Sequence, residues 1–369
     1  MQRREFAKLA GAGIALPALS PGAPASKSIK AAVITGAGGV HLSSYFESLR
    51  LAEVVAAVAV CDPSGQSLPL ARKLLAGKLT AGYQDRQAML RQEKPELALV
   101  SLDGVESPPA IDAALEAGCH VLAEKPACVR LEEFERLNRK AQSRHRQLLL
   151  ALANRVDPVI LEARRLVREG KIGTVYGVEA HIIADQTRLK DPGYRNVWRA
   201  LKARAGGGHL IWLGIHWLDL AMYVTGLPVR AVTGFTANVG GQPLDVEDSA
   251  VVAMRFENGS LGTLTSGYYL DKGYHSHLKI WGSQGWLQVH KYTNVPLEWY
   301  STADPNPQVY RWDSTRKPPG DVYSPFVRAV ARACAGLEPF PLNGDESARV
   351  LKAIFACYRA AETGQTQSI

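Results

Sequence analysis

Short apolar runs alternate with helical stretches through the first 150 residues. Runs at 30–35, 54–60, 97–102, 119–123 and 147–152 are short and apolar, 54–60 being β-branched, and read as buried strands. Helical spacing of apolar positions fills the gaps at 42–51, 84–92, 108–117 and 131–143. Strand and helix alternating with short links predict a doubly wound, parallel α/β sheet, a Rossmann domain over 29–153. The rhythm then changes. A helix at 158–169 and a run at 174–184 precede Gly206-Gly207-Gly208, which opens a helix reaching about Thr225. Alternating or β-rich runs follow at 230–239, 248–256, 261–269, 277–281 and 286–289. Asn258-Gly259 between two of them is a hairpin signal. The pattern predicts a second, α+β domain over 154–363 with a largely antiparallel open sheet, closed by helices at 323–335 and 345–363.

Composition is ordinary for a globular chain of 369 residues, 46% hydrophobic and 21% charged, enough for two cores. Five scattered cysteines without C-x-x-C suggest neither a disulfide framework nor a structural zinc. No metal-ligand spacing such as H-E-x-x-H occurs, and none of the apolar runs is long enough to span a membrane in the mature protein. The net charge of +8 is spread along the chain, so no nucleic-acid partner is expected. The first 25 residues resemble a twin-arginine export signal. Arg3-Arg4-Glu5-Phe6 precedes a mild apolar segment from Leu9 to Leu19, and Ala23-Pro24-Ala25 is a cleavage pattern. A periplasmic or otherwise exported protein is expected.

The first chemistry-bearing motif is Gly36-x-Gly38, followed by Gly39, between the first strand and the first helix. There, one glycine permits the tight turn and the next lets the backbone approach a pyrophosphate at a helix N-terminus. The third small residue is missing, and His41 stands in its place; it either approaches the phosphates or packs the helix on the sheet. Asp62 ends the second strand, 26 residues after Gly36, near the spacing of the acid that holds a ribose hydroxyl. A carboxylate there repels a 2′-phosphate, which favours NAD over NADP. Glu124-Lys125-Pro126 lies at the expected carboxyl end of a parallel strand, the edge at which ligands bind in open α/β sheets. Pro126 restricts Lys125 to extended backbone.

The second cluster runs from Gly206-Gly-Gly-His209 through Trp212 and His216 to Asp219. Together with Gly36-Ala-Gly38, Asp62 and Glu124-Lys125-Pro126, it resembles the Gfo/Idh/MocA family of oxidoreductases over residues 30 to 363. The resemblance implies a Rossmann domain, a carboxy-terminal domain whose open sheet often mediates a homodimer or homotetramer, and a sugar or cyclitol site between them. It implies Lys125 and His216 as catalytic residues. The chain departs from the family at Trp212, where an Asp four residues before the histidine is usual. Residues i and i+4 share a helix face, and an indole donates one hydrogen bond but accepts none. Trp212 is therefore expected to contact the substrate or cofactor. Asp219 is a nearby candidate to assist His216; His209, Arg199 and Asp185 are further candidates for substrate contact, and Glu124, a local anchor, with Lys125 for cofactor contact.

The resemblance implies an NAD(P)-dependent oxidoreductase acting on a carbinol carbon of a sugar, sugar derivative or cyclitol. His216 would take the hydroxyl proton and Lys125 would stabilise the oxygen. Export implies a cofactor that stays bound between turnovers. Two alternatives stand beside this: a redox-neutral NAD-dependent glycoside hydrolase or epimerase working through a transient keto-sugar, and a non-catalytic sugar- or nucleotide-binding protein.

Overall fold

A computed structural model of the protein describes residues 28–291, 293–312 and 321–369. The expected export signal lies outside these residues. The first sheet contains six strands: β1 (Ile29–Thr35), β2 (Val55–Cys61), β3 (Leu79–Tyr83), β4 (Leu97–Ser101), β5 (His120–Ala123) and β6 (Leu148–Leu150). All pair in parallel, in the order β3-β2-β1-β4-β5-β6. This is the doubly wound order, with the crossover of chain direction between β1 and β4. The helices between them are α1 (Leu42–Leu51), α2 (Leu68–Leu75), α3 (Arg86–Glu93), α4 (Ser107–Glu116) and α5 (Leu131–Ser143). β1, β4 and β5 are buried along nearly their whole length, which is why they read as continuous apolar runs. β3 and α2 escaped the sequence reading. β3 is the edge strand and is half-exposed throughout, so its composition carries little apolar signal.

The chain then forms α6 (Pro158–Arg168), β7 (Val175–Asp185), α7 (Lys202–Ala205) and α8 (Ile215–Thr225). The second sheet adds β8 (Val229–Ala237), β9 (Ser249–Phe256), β10 (Leu261–Leu270), β11 (Tyr274–Gly282), β12 (Gly285–His290), β13 (Leu297–Ser301), β14 (Val309–Arg311) and β15 (Gln367–Ser368). Its order is β14-β13-β12-β11-β7-β10-β9-β8-β15. Every pair is antiparallel except β7 with β10. The expected class, a Rossmann domain plus an α+β domain with a largely antiparallel sheet, is the one observed.

The two last helices, α9 (Tyr323–Cys334) and α10 (Gly344–Thr363), return to the first sheet. α9 lies along α1, and α10 packs on β8 while also touching α5 and β6. α10 begins with a capping box made by Asn343 and Glu346. A buried ion cluster joins the parts. Arg155, just after β6, binds the Asp219 carboxylate of α8 through both Nε and Nη2, and reaches Glu346 of α10 at 2.7 Å. This settles Asp219 as a structural residue: its charge is committed to Arg155 and does not support His216.

Candidate active site

Lys125 stands where β5 ends, at the carboxyl edge of the first sheet, and the Lys125–Pro126 peptide is cis. Its side chain is 1% exposed. The ammonium donates to the carbonyl oxygen of Trp212 at 2.7 Å and sits 3.2 Å from the centre of the Trp212 ring. Burial pulls its pKa down to about 7, against the pull of Glu124 and aided by Arg199. Glu124 is completely buried beneath it. Its carboxylate accepts from Tyr45 and meets His41 Nδ1 at 3.0 Å. Burial alone would raise this carboxyl; the hydrogen bond and charge of His41, the Lys125 ammonium and Tyr45 outweigh it and hold the pKa below its usual range. Glu124 is thus an anchor that keeps a negative charge under the lysine.

His41 takes a left-handed backbone, φ 57°, at the position where a third small residue was missing. Its ring stacks at 6.2 Å on Trp212, and the hydroxyl of Tyr323 lies 3.1 Å from Nδ1. It therefore joins the glycine turn to the Lys125 site.

The site helix begins with an irregularity. Residues Leu210–Gly214 form a π turn, in which the Ile215 N–H reaches back five residues to the Leu210 carbonyl; α8 follows directly. Glu247 caps its start, accepting from the N–H groups of Gly208 at 2.7 Å and Leu210 at 3.0 Å and from the Tyr358 hydroxyl at 2.8 Å. A side chain at Gly208 would collide with the Glu247 backbone, which explains the glycine there. The π turn inserts a residue between His209 and His216. The seven-residue spacing therefore no longer returns to one face, and His209 points elsewhere. Its Nδ1 bonds Ser266 at 2.6 Å, its ring meets Tyr268, and burial, with Arg188 and Lys125, pulls its pKa down to about 3. The expected substrate contact of His209 is not supported.

Trp212, His216, Lys125 and His41 line one cavity of about 480 Å³, a size typical of small-molecule sites. The Nδ1 of His216 is buried without a partner among the described residues. Burial, then Lys125, Lys291 and His41, push its pKa well below the ordinary value. Arg199 lies near, its guanidinium 5.2 Å from the Trp212 ring and 5.6 Å from Trp198, but it does not line the cavity. Asp185 does not line it either. Ile182 does, and side chains alternate along β7, so Asp185 falls on the opposite face, where it accepts from the Thr187 N–H. Lining residues the sequence did not signal are Arg188, three positions further on, Lys291, Asn154 and Tyr323.

The glycine turn fits a dinucleotide. Gly38 has φ 86°, and the Gly39 N–H closes the turn on the Gly36 carbonyl at 3.0 Å. No side chain caps the start of α1, which leaves its N–H groups for phosphate oxygens. Trp198 covers the rim, donating to the Gly38 carbonyl at 3.1 Å; sequence reasoning did not single it out. Asp62 is at the end of β2, but its carboxylate is buried and serves its own loop. It accepts from the Ser64 N–H at 2.9 Å and hydroxyl at 2.7 Å, and from the Ser67 N–H at 2.8 Å. Burial opposes ionisation, and these bonds hold its pKa below the usual range.

Residues 30–152 match the oxidoreductase family with NAD-binding Rossmann fold, and residues 160–288 match the GFO/IDH/MocA C-terminal domain. The chain belongs to the Gfo/Idh/MocA family of NAD-binding oxidoreductases. It is 31% identical to the D-glucoside 3-dehydrogenase of Escherichia coli over 58% of this chain and 63% of that protein. It is 28% identical to the levoglucosan dehydrogenase of Pseudarthrobacter phenanthrenivorans over 41% of this chain and 44% of that one. The chain thus matches under two thirds of the length of either relative. An oxidoreductase domain protein from Kribbella flavida shares the fold, with a TM-score of 0.83 and 24% identity over 93% of this chain and 99% of that one.

Proposed function

We propose that the protein oxidises a carbinol carbon of a sugar or sugar derivative, with NAD as the cofactor. The observation that carries this is the convergence of Lys125, from the edge of the first sheet, and His216, from the helix under the second, on one cavity beside the glycine turn. Gly36, Gly38, Gly39 and the start of α1 would hold the cofactor's phosphates. NAD, when bound, supplies the hydride acceptor.

The protein's part is proton handling and orientation. A general base works best with a pKa near the operating pH. Lys125, pulled down to about 7, meets that condition. His216, pushed well below its ordinary value, does not. The roles expected from the sequence are therefore exchanged. The neutral amine of Lys125 accepts the hydroxyl proton, while His216, neutral throughout the working range, hydrogen-bonds and orients that hydroxyl. Trp212 lines the cavity where the family usually has an acid, and its indole face holds the Lys125 ammonium. Two relatives bear names of sugar dehydrogenases, which supports this substrate class. The test is formation of reduced nicotinamide on adding NAD and a panel of sugars and glycosides. Aglycone release with no net reduction would favour the redox-neutral alternative, since the same lysine could remove a proton next to a ketone.

Export is part of the proposal, supported by Arg3-Arg4 and Ala23-Pro24-Ala25. Mass spectrometry of the mature amino terminus, beginning near Ser26, tests it. Self-association through the open face of the second sheet is supported by exposed Phe235 and Val251, which pair across β8 and β9, and by Leu261. Sedimentation of the purified protein tests that.

A further inference from the structure

The cavity carries more positive charge than its own walls offset. Lys125 is answered by Glu124 beneath it. Two further cations line the same space, Arg188 and Lys291. The only carboxylate among the described lining residues is Asp157. It is largely occupied, one oxygen capping α6 through the Val159 N–H at 2.9 Å and the other 3.7 Å from Lys291. The Lys291 ammonium also meets the Asn154 side-chain oxygen.

Arg188 has no such answer. Its guanidinium lies 5.4 Å and 5.9 Å from the rings of Tyr268 and Tyr274 and donates to the Tyr274 hydroxyl at 3.1 Å. Among the described residues no carboxylate comes within ion-pair distance of it; Asp185, whose carboxylate accepts from the Thr187 N–H, feels its charge but forms no ion pair with it. A guanidinium has five N–H donors in a planar fork that fits two oxygens of a carboxylate or phosphate. Held between two tyrosines at the cavity wall, with donors to spare, it is built to receive an anion.

We propose that the substrate of this site is an acidic sugar, its carboxylate or phosphate gripped by Arg188 while Lys125 and His216 address a ring hydroxyl. The inference rests on the dehydrogenase reading above for the hydroxyl chemistry, but the anion site stands on its own geometry. Lys291 adds attraction from the same lining.

The experiment uses the purified full chain with NAD and matched sets of neutral hexoses, hexuronates and hexose 6-phosphates in the gluco, galacto and manno configurations. Reduced nicotinamide reports turnover and calorimetry reports binding. The expected result is a KM at least about tenfold lower for an acidic sugar than for its neutral counterpart, as a charge-assisted bidentate contact allows. Whether the uronate or the phosphate series shows it identifies the anion. Arg188→Gln should abolish the preference through KM rather than kcat, and Arg188→Lys should restore part of it. Raising ionic strength on the wild-type protein should weaken acidic sugars selectively, a measurement that needs no variant. Equal KM values for neutral and acidic sugars would overturn the proposal and leave the dehydrogenase reading standing. Arg188-dependent binding of acidic sugars without any turnover would keep the anion site and remove the dehydrogenase reading. Failure of every sugar both to bind and to react overturns both.

Discussion

The ammonium of Lys125 is clamped to Trp212 twice, by a 2.7 Å hydrogen bond to its carbonyl oxygen and by the indole face 3.2 Å away. The first contact uses the main chain of a π turn, the second a side chain that stands where the family usually has an acid. Neither supplies a full negative charge beyond the buried Glu124. Burial therefore wins, and the amine titrates near 7. That position makes the lysine a usable base at neutral pH.

Replacing Lys125 by Met should lower turnover by about 10²-fold or more while NADH binding is retained. In the wild-type protein kcat/KM should rise with pH through about 7, because the protonated form has no lone pair to accept the hydroxyl proton. A flat profile over that range, or a Lys125→Met protein with normal turnover, takes the lysine out of the reaction.

Trp212→Asp should move that limb. A carboxylate placed beside the ammonium favours its charged form, so the limb should shift to higher pH by about a unit or more. Trp212→Phe keeps a ring without adding charge and should leave the limb within about half a unit. The pH profiles of the two variants decide the point; an unmoved limb in the Asp variant means that Trp212 does not set the lysine's environment.

Much of this site was legible in the sequence because its parts lie at strand ends and turns. The apolar run before Glu124-Lys125-Pro126 announced a buried parallel strand, and the sheet edge followed from it. Gly36 and Gly38 announced the turn. What escaped was geometry that no local pattern encodes. The π turn at Leu210–Gly214 is invisible in spacing, and it sent His209 to Ser266 and away from the cavity. Strand parity placed Asp185 on the wrong face and left Arg188, after the strand, to line the site. Asp219 looked like a partner for His216 because both lie on one helix. Its true partner, Arg155, comes from 64 positions away.

That partnership should dominate stability. Arg155 and Asp219 are both nearly inaccessible, and removing one leaves the other's charge buried. Asp219→Ala should cost about 3 kcal/mol, the lower end of the usual range because Arg155 keeps Glu346. Replacing both residues by apolar ones, Arg155→Met with Asp219→Leu, should recover much of that loss. Urea unfolding of the single and the double variant measures it. A single variant that loses less than about 1 kcal/mol would show that the pair is solvated and contributes little.

The glycine turn gives the last prediction. Gly38 has φ 86°, a backbone that L side chains adopt only at a cost, and a Cβ there would lie 3.3 Å from Cδ1 of Trp198. Gly38→Ala must therefore either strain the turn or displace the indole that now bonds the Gly38 carbonyl. Left-handed backbone costs an L residue roughly 1–2 kcal/mol, and the turn is where the phosphates of NAD would approach the main chain. The expected outcome is an NADH dissociation constant raised about tenfold, read by quenching of protein fluorescence or by calorimetry. Far-ultraviolet circular dichroism should be unchanged, since the turn lies outside the core strands. If NADH binds the variant as tightly as the wild type, the dinucleotide does not use this turn, and Lys125 has lost its reason to stand beside it.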